Sequence, residues 1–288
     1  MEYGLSIGKS VRAVEDIAFQ KDLETIQKMR TNGLGIIPTD NERMLSDMIV
    51  EAYNQIKTSP ELIIIAHSLP FIFCNGYDIS EKLGNIKTFL LSGMPCAIMH
   101  EAVDMAKSYI ENGWYKRVLV IGADKAYSDG ERTFFNTIMG DCVVALLIGP
   151  GGKRNTLISS HIQTNIIAPQ GELTEENKIN EFRAVNASLV RDSMEQCIAK
   201  AGLTWKDIGY IVPHTSNKMF WDGLSGLLHI ERSRFKDIHI NVTGHFNSHD
   251  SFYHYLTLIE EQVINKNQYA LLINPGFGGT QGSTLLRC

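Results

Sequence analysis

Short aliphatic runs alternate with amphipathic helices along most of this chain, and this alternation limits the possible folds more than any other feature. Residues 61–66 and 118–123 are nearly continuous aliphatic runs of strand length, as in strands that are buried on both faces of a sheet. Between them, residues 97–112 have apolar side chains at helical spacing, with Ala102 and Ala106 on one face. The pattern predicts βαβ units and an α/β fold.

The second part of the chain repeats this order. The predicted elements are a helix at 182–201, a strand at 208–213, a helix from 218, a short strand at 238–242, a helix at 250–264 and a strand at 269–274. Cys96 precedes Val118 by the same 22 positions that separate Ser248 from Ala270. This spacing predicts a duplicated unit. The glycines and proline at 149–152 mark the expected boundary, which gives an N-terminal half at residues 1–152 and a C-terminal half at residues 153–288.

Composition excludes several classes of function. With 288 residues, of which 44% are hydrophobic, the chain can bury a large core. A net charge of -5, with Lys and Arg scattered, argues against nucleic-acid binding. The first residues lack a secretory leader pattern and no apolar run approaches the roughly 20 residues that span a bilayer, so we expect a cytoplasmic protein without a membrane partner.

Cysteine usage points away from disulfides and zinc. The number of cysteines is odd and no CxxC pair occurs. They are Cys74, Cys96, Cys142, Cys197 and Cys288. We expect four of them to be ordinary reduced thiols and Cys96 to be different.

Three short segments supply chemically useful side chains where predicted strands give way to loops or helices. Residues 93–97 contain Cys96, residues 212–217 contain His214, and residues 244–250 end in an aspartate. Cys96 lies at a predicted helix start, where the helix dipole and free N–H groups favour a nucleophilic thiolate. An ordinary buried cysteine is the alternative at this position.

Taken in order, these segments resemble the thiolase superfamily, and within it the β-ketoacyl-acyl-carrier-protein synthase III group. Residues 139–147 resemble that group's Phe-Gly-Asp-Gly-Ala strand entry, 212–217 its Pro-His-Gln-Ala-Asn segment, and 270–283 its glycine-rich closing hairpin. The resemblance covers roughly residues 60–288. It implies a thiolase fold, in which two halves related by a pseudo-twofold axis form five layers, helix–sheet–helix–sheet–helix.

The resemblance also implies site roles and partners. Cys96 would carry an acyl thioester, His214 would exchange protons or bind the thioester carbonyl, and Asn217 would brace the loop. The backbone N–H of Cys96, with that of Phe277 or Gly278, would form the oxyanion hole. Acyl-CoA or an acyl carrier protein would be the donor substrate, the enzyme would be a homodimer, and no metal or redox cofactor is implied. We transfer no pantetheine contact onto particular residues.

Residues 244–250 depart from the condensing enzymes of this group, which have Gly-Asn-Thr-Ser here. His245 holds the position of that asparagine. Together with Asp250 it resembles a divergent branch, the ketosynthase III-like acyltransferases of natural-product biosynthesis, which use a Cys–His–Asp set. Asp250 is therefore predicted to orient His214. As alternatives, Asp250 is the N-cap of a helix that begins at Ser251, or Asn247 takes the asparagine role.

A metal site in this segment is not predicted. His245, His249 and His254 raise the question, because the His-x-x-x-His spacing of the first two would place both imidazoles on one face of a helix. The Glu of a zincin motif is missing, however, and Gly244 favours a loop. These histidines are expected to line the pocket or its entrance.

The sequence therefore predicts an acyltransferase of fatty acid, polyketide or other secondary metabolism, which passes an acyl group from Cys96 to a hydroxyl or amine. The first alternative is a condensing enzyme that joins the acyl group to a malonyl thioester, using His214 with Asn247 or His245. The second is a non-catalytic partner subunit of a synthase, which the presence of Cys96 and His214 disfavours. Acyl chain, acceptor and the choice between CoA and carrier protein stay open.

Overall fold

The computed structural model describes residues 2–18, 21–69, 76–151 and 155–288. Its first elements are β1 (Glu2–Ile7), β2 (Ser10–Ala13), α1 (Val14–Ile17), α2 (Leu23–Thr31), β3 (Ile36–Thr39), α3 (Leu45–Tyr53), β4 (Leu62–Ala66), α4 (Gly76–Lys82), β5 (Thr88–Leu91), α5 (Ile98–Glu111), β6 (Val118–Asp124), α6 (Asp129–Arg132), β7 (Thr133–Phe134), β8 (Thr137–Ile138) and β9 (Cys142–Ile148).

The later elements are β10 (Thr156–Thr164), α7 (Glu176–Lys200), β11 (Ile208–Pro213), α8 (Lys218–Leu227), α9 (Ile240–Thr243), α10 (Asp250–Glu260), β12 (Tyr269–Gly276) and β13 (Thr280–Arg287). Single 3₁₀ turns occur at Gly171–Leu173, Arg232–Arg234 and Asn247–His249. The predicted boundary between residues 152 and 153 lies outside the described residues, as does Cys74.

Two sheets repeat one strand arrangement. One has the order β1-β9-β6-β4-β5 and the other β10-β13-β12-β11. In the first, β4 runs parallel to β6, while β6 and β1 both run antiparallel to β9. In the second, β11 runs parallel to β12, while β12 and β10 both run antiparallel to β13. The duplication predicted from spacing is therefore present in the topology.

The helices complete five layers. Helices α5 and α10 lie between the two sheets, and their apolar faces form one core with the inner faces of β4, β6 and β9 on one side and β11 and β12 on the other. Helices α3 and α4 cover the outer face of the first sheet, and α7 and α8 cover that of the second. The predicted five-layer thiolase fold is confirmed.

One predicted strand is wrong. Residues 238–242 do not form a strand, and α9 begins within them at Ile240. The edge strand β11 instead pairs with a segment that precedes residue 238, through a single bridge between Ile211 and Phe235. In this bridge Lys236 N–H donates to the Ile211 carbonyl over 2.8 Å. Ile240 is then free to pack into a separate apolar cluster formed with the N-terminal segment.

A residue with positive φ lies shortly before each of the two helices between the sheets, α5 and α10. Cys96 has φ 58° and stands two residues before α5; Asn247 has φ 50° and stands three residues before α10. Positive φ is uncommon outside glycine and concentrates at functional sites. The two helix starts thus bring strained loops from both halves together. No helix within the described ranges is both long and apolar enough to cross a membrane.

Candidate active site

Cys96 opens into a cavity of about 640 Å³ that both halves line. It lies in the turn between β5 and α5 and is partly exposed. Its Sγ is 3.5 Å from Nε2 of His245, a residue of the loop before α10. The nucleophile predicted from the sequence therefore faces an imidazole from the opposite half.

His245 is in turn bound to Asp250. The distance from His245 Nδ1 to Asp250 Oδ2 is 2.5 Å, and the two residues are 3% and 0% exposed. Thr215 N–H donates to the same Oδ2 over 2.7 Å, and Thr215 Oγ1 is 2.9 Å from Oδ1. Because a carboxylate accepts only, Nδ1 of His245 carries a proton and Nε2 is directed to the thiol. Cys96, His245 and Asp250 form a relay with the order of a catalytic triad.

The electrostatics of this relay favour a charged His245. Burial works to lower its pKa, but the charge and hydrogen bond of Asp250 outweigh burial, and with the contact to Cys96 they raise the pKa to about 10. Burial likewise opposes ionisation of Asp250, yet His245 and His254 hold the pKa of that carboxyl well below its usual range. At neutral pH the imidazolium of His245 therefore stands beside an ionised carboxylate and the Cys96 sulfur.

His214 reaches the same cavity but is not bound to Asp250, which corrects the predicted pairing. Its Nε2 is 2.9 Å from Ser216 Oγ, and its Nδ1 has no hydrogen-bond partner among the described residues. Burial, and next the positive charge of His245, lower the pKa of His214 to about 3. The reason for the correction is the fold of residues 244–250, which turns His245 rather than His214 toward Oδ2 of Asp250.

Asp250 is not a helix cap either. Helix α10 begins at Asp250 itself, and His249 holds the N-cap position without a capping side-chain hydrogen bond. The carboxylate instead contacts Thr215, His245 and His254. The alternative of a purely capping aspartate at this position is wrong.

The two asparagines singled out from the sequence take different places. Asn217 Oδ1 accepts the N–H of Phe220 over 3.1 Å and caps α8, although the residue also lines the cavity. Asn247 lines the cavity as well, is 4% exposed, and its Nδ2 lacks a partner in the part of the chain that the structure describes. Asn274 of β12 holds this loop by donating Nδ2–H to the carbonyls of Asn247 and Ser248, over 3.1 and 3.0 Å.

The closing turn after β12 packs directly on the nucleophile loop. A Cβ at Gly276 would lie only 2.0 Å from the Pro95 carbonyl oxygen, so the backbones touch here. The next two residues, Phe277 and Gly278, line the cavity with Cys96. Their amides are thus candidates for the oxyanion hole, as the family resemblance implies.

A turn after β4 supports the nucleophile from the other side. Cys96 N–H donates to Ser68 Oγ over 3.4 Å. The N–H groups of Ser68 and Leu69 donate to Oδ1 of Asp124, over 2.8 and 2.7 Å. Burial raises the pKa of Asp124 to about 7, against these two hydrogen bonds. Sequence reasoning missed Ser68 and Asp124, and only the aspartate at the end of a predicted strand gave any signal.

The histidines that raised the question of a metal site separate in the fold. His245 contacts Cys96, His254 lies on the far side of Asp250, and His249 Nδ1 is 3.7 Å from Asp124 Oδ2. The group whose potential ligand atoms do converge, within 4.8 Å, is His214, His245 and Asp250. Of these three residues, His245 and Asp250 are joined by the hydrogen bond of 2.5 Å, and this bonded pair suits proton transfer.

Aromatic rings form one wall of the cavity. Phe277 contacts the rings of Phe134, Phe135 and Phe182, with centroids 5.5, 4.7 and 5.0 Å apart. Phe134 and Phe135 belong to the β7–β8 hairpin and Phe182 to α7. These four residues, the phenylalanine wall, line the cavity into which Cys96 opens.

Comparison with known proteins identifies the family to which this fold belongs. The family model for 3-oxoacyl-(acyl-carrier-protein) synthase III matches residues 93–165, and the model for the C-terminal part of the same family matches residues 198–288. Together the models match more than half of the chain.

Curated relatives belong to the same family. The β-ketoacyl-(acyl-carrier-protein) synthase III of Geobacillus kaustophilus is 26% identical in an alignment 241 positions long, which covers 79% of this chain and 76% of the relative. That of Staphylococcus epidermidis is 23% identical in an alignment 298 positions long, gaps included, which covers 95% of this chain and 94% of the relative.

Two solved structures share the fold. The structure of 3-oxoacyl-(acyl-carrier-protein) synthase III from Aquifex aeolicus has a TM-score of 0.83 at 20% identity, covering 100% of this chain and 98% of that one. ChlB3, described as an acyltransferase, has a TM-score of 0.84 at 17% identity, covering 99% and 96%. The matched family models and the curated relatives show that the chain belongs to the thiolase superfamily, as an enzyme of the β-ketoacyl-acyl-carrier-protein synthase III type.

Proposed function

We propose that this enzyme is an acyltransferase, which takes an acyl group from a thioester onto Cys96 and passes it to a hydroxyl or amine. One observation carries the proposal. Asp250, His245 and Cys96 are linked in that order by contacts of 2.5 and 3.5 Å, in the place where condensing relatives are expected to have an asparagine. An imidazole bound to a carboxylate is a general base, whereas an asparagine amide is not.

In the first half-reaction the Cys96 thiolate attacks the thioester carbonyl. The bond between the acyl carbon and the donor sulfur breaks, and the bond to Cys96 Sγ forms. The leaving thiolate takes the proton from Nε2 of His245, which the raised pKa of this residue makes available at neutral pH. His245 is then a neutral imidazole beside an acyl-cysteine.

In the second half-reaction neutral His245 accepts the proton of the hydroxyl or amine as that group attacks the acyl carbon. The bond to Cys96 breaks, and the sulfur leaves as a thiolate beside the newly formed imidazolium. Asp250 stabilises this imidazolium. The cycle therefore returns to its starting charges without an additional proton donor.

We assign His214 to substrate binding. Its low pKa keeps it neutral at pH 7, so one ring nitrogen can donate a hydrogen bond to the thioester carbonyl without competing with His245 for the acid–base role. The backbone N–H groups of Cys96 and of Phe277 or Gly278 would hold the oxyanion. The Cys96 N–H would exchange its long 3.4 Å hydrogen bond to Ser68 Oγ for one to the oxyanion.

Condensation with a malonyl thioester is the second candidate, and a specific observation favours it. Asn247 and His214 line the cavity, and Asn247 Nδ2 and His214 Nδ1 are buried without partners among the described residues. Such a pair could bind the enolate oxygen formed by decarboxylation. In this case His245 would be an additional group in an otherwise condensing site.

We propose acyl-CoA or an acyl carrier protein as donor, a place in fatty acid, polyketide or other secondary metabolism, a homodimer and a cytoplasmic enzyme. ChlB3, described as an acyltransferase, supports the transfer reaction by its similar fold. The dimer would continue the first sheet at β5, which pairs with β4 at one edge of that sheet. The family resemblance implies this mode of pairing.

Intact-protein mass spectrometry tests the reaction. Wild type and Cys96→Ala are incubated with a panel of acyl-CoA and acyl-carrier thioesters, and the isolated acyl-enzyme then receives an alcohol, an amine or a malonyl thioester. We expect an adduct that requires Cys96 and that alcohols or amines discharge. Discharge by the malonyl thioester with release of carbon dioxide would establish condensation instead, and no adduct from any donor would indicate a non-catalytic subunit.

Asp250→Asn separates the two half-reactions. The change keeps the shape but removes the charge that stabilises the His245 imidazolium, so we expect transfer to fall roughly 10²- to 10⁴-fold, and acyl loading to fall much less. Asp192→Asn, an exposed aspartate paired with Arg191, is the matched control. Unchanged transfer in Asp250→Asn would overturn the proposed role of Asp250.

A further inference from the structure

We infer that His254 is a positioning residue, which fixes the Asp250 carboxylate so that the other oxygen faces His245. The inference rests on the proposed function and deepens it by adding a fourth residue behind Asp250. His254 lies one helical turn after Asp250 on α10, away from Cys96, and is fully buried.

The contacts of His254 divide the carboxylate between two histidines. His254 Nε2 is 3.0 Å from Asp250 Oδ1, whereas His245 Nδ1 is 2.5 Å from Oδ2. Because a carboxylate only accepts, His254 carries a proton on Nε2. With one histidine on each oxygen, rotation of the carboxylate about its axis would break both hydrogen bonds at once.

Thr215 completes the arrangement. Its N–H donates to Oδ2 over 2.7 Å, and its hydroxyl lies 2.5 Å from the Gly244 carbonyl and 3.1 Å from His254 Nε2. The single hydroxyl proton has two possible acceptors, the Gly244 carbonyl and, at 2.9 Å, Asp250 Oδ1, of which the Gly244 carbonyl is nearer. With the proton directed to Gly244, the Thr215 oxygen can share the Nε2–H of His254 with Asp250 Oδ1. His254 thus connects the aspartate to the backbone that carries His245.

The ring of His254 has little freedom to turn away. It stacks between Phe246 and His239, with interplanar angles of 18° and 15°, and Tyr253 meets its edge at 5.3 Å. Ordered rings around a buried hydrogen bond hold that bond in one geometry, which is the requirement for a positioning residue.

A proton relay to the surface is the competing explanation for this histidine. His239 Nε2 is 3.1 Å from Glu261, a partly exposed residue, so a path from Asp250 through two histidines can be drawn. The link between the rings is missing, because Nδ1 of His254 and Nδ1 of His239 both lack hydrogen-bond partners within the described residues. The contacts therefore favour positioning over proton conduction.

Two variants of His254 test this role. His254→Phe keeps a flat ring for the stack but removes the donor to Asp250, and His254→Gln restores an amide N–H at the position of Nε2. Discharge of isolated acyl-enzyme to the acceptor is measured for both. We expect discharge to slow about tenfold or more in His254→Phe and to recover in large part in His254→Gln, as for loss and return of one hydrogen bond to a charged group.

A spectroscopic reading distinguishes positioning from general loss of structure. The titratable groups around His245 are Asp250, Cys96, His214, His249 and Asp124. Those around His254 are Asp250, His239 and, through His239, Glu261. Titration of ¹⁵N-labelled histidine by NMR should show His245 losing its proton at a lower pH in His254→Phe than in wild type. Equal titration curves and equal discharge rates would overturn the inference.

His239→Phe is the matched control, because it keeps a ring stacked on His254 but removes the two ring nitrogens that a proton relay through His239 would need. We expect its discharge rate to equal that of wild type. A loss as large as that of His254→Phe would show proton conduction and overturn positioning. If Asp250→Asn itself transfers normally, the proposed function fails; if Asp250→Asn is impaired while His254→Phe is not, only this inference fails.

Discussion

His214 and His245 meet edge to face, with ring centroids 5.0 Å apart and planes at 85°, yet their pKa values are shifted in opposite directions. The pKa of His245 rises to about 10 and that of His214 falls to about 3, mainly because Asp250 binds one ring and burial governs the other. Repulsion between two imidazolium ions at this distance strengthens the difference. The cavity thus contains one proton donor and one neutral hydrogen-bonding ring at pH 7.

Replacing His245 tests its assignment as the base. The variant His245→Asn places at this position the asparagine expected in condensing relatives and removes the general base. Discharge of the acyl-enzyme to an alcohol or amine should therefore fall roughly 10²- to 10⁴-fold. Rapid-quench mass spectrometry measures the discharge. His229→Asn is the control, since His229 is exposed and its φ of 52° suits asparagine. Normal discharge in His245→Asn would assign the base to another residue.

The raised pKa of His245 predicts a stability that depends on pH. A histidine whose pKa is higher in the folded state stabilises that state below its unfolded pKa of about 6.5, and this stabilisation is lost as pH rises toward 10. Between pH 6.5 and 10 the free energy of unfolding of wild type should therefore fall by roughly 3 to 5 kcal/mol relative to His245→Gln. Urea unfolding at several pH values checks this, and parallel curves would contradict it.

His214 should show the opposite dependence. Its pKa is lower in the folded state, so below pH 6.5 the unfolded chain takes up a proton that the folded protein excludes, and stability falls as the pH approaches 3. His214→Gln should remove part of this acid-side loss while leaving the alkaline side unchanged. Urea titrations from pH 4 to 7 measure the effect; an identical acid-side slope in the variant would refute it.

Gly276→Ala should disable the site with little change in the rest of the fold. The added Cβ would stand 2.0 Å from the Pro95 carbonyl oxygen, so the closing turn must move away from Cys96 and its amides leave the oxyanion position. We expect acyl loading to slow by about 10²-fold or more. Gly226→Ala on α8 is the control: its Cβ meets nothing within 4 Å, and alanine should stabilise the helix by about 0.5 to 1 kcal/mol. Normal loading in Gly276→Ala would disprove the close packing.

Phe277→Ala should change which acyl groups are accepted. Removing this ring opens the phenylalanine wall at its central member, so kcat/KM for loading should shift toward bulkier acyl thioesters. A series of acyl-CoAs of increasing width measures the shift. Ile166 also lines the cavity but is 71% exposed, so Ile166→Ala should leave the preference unchanged. The same size preference in Phe277→Ala and wild type would show that Phe277 does not limit the pocket.

Much of the architecture followed from the sequence because its signals are local. Side-chain periodicity predicted the aliphatic strand at 118–123, the helix after Cys96 and the duplicated unit. The folded chain has the strand and the helix at the predicted places. The strand expected at 238–242 failed because an edge strand buries few side chains, and packing of Ile240 into another cluster decided its conformation.

The site was only partly predictable for a geometric reason. The three segments were identified, but two histidines of different segments compete for one carboxylate, and a difference of a few ångströms decides which ring binds. The turn at Gly244, with φ 64°, directs His245 to Asp250. Thr215 gave no signal, and His254 was singled out only as one of three histidines expected near the pocket, because the importance of both arises from contact with Asp250.

The nucleophile and its base stand on opposite sides of the seam between the duplicated halves. Cys96 is carried by the loop before α5, and His245 by the corresponding loop before α10. In the proposed mechanism, therefore, neither half alone holds both the thiol and its base. Enzymatic acyl loading and transfer should then return during refolding only when the two loops have come together, which makes the recovery of activity a measure of the last step of assembly.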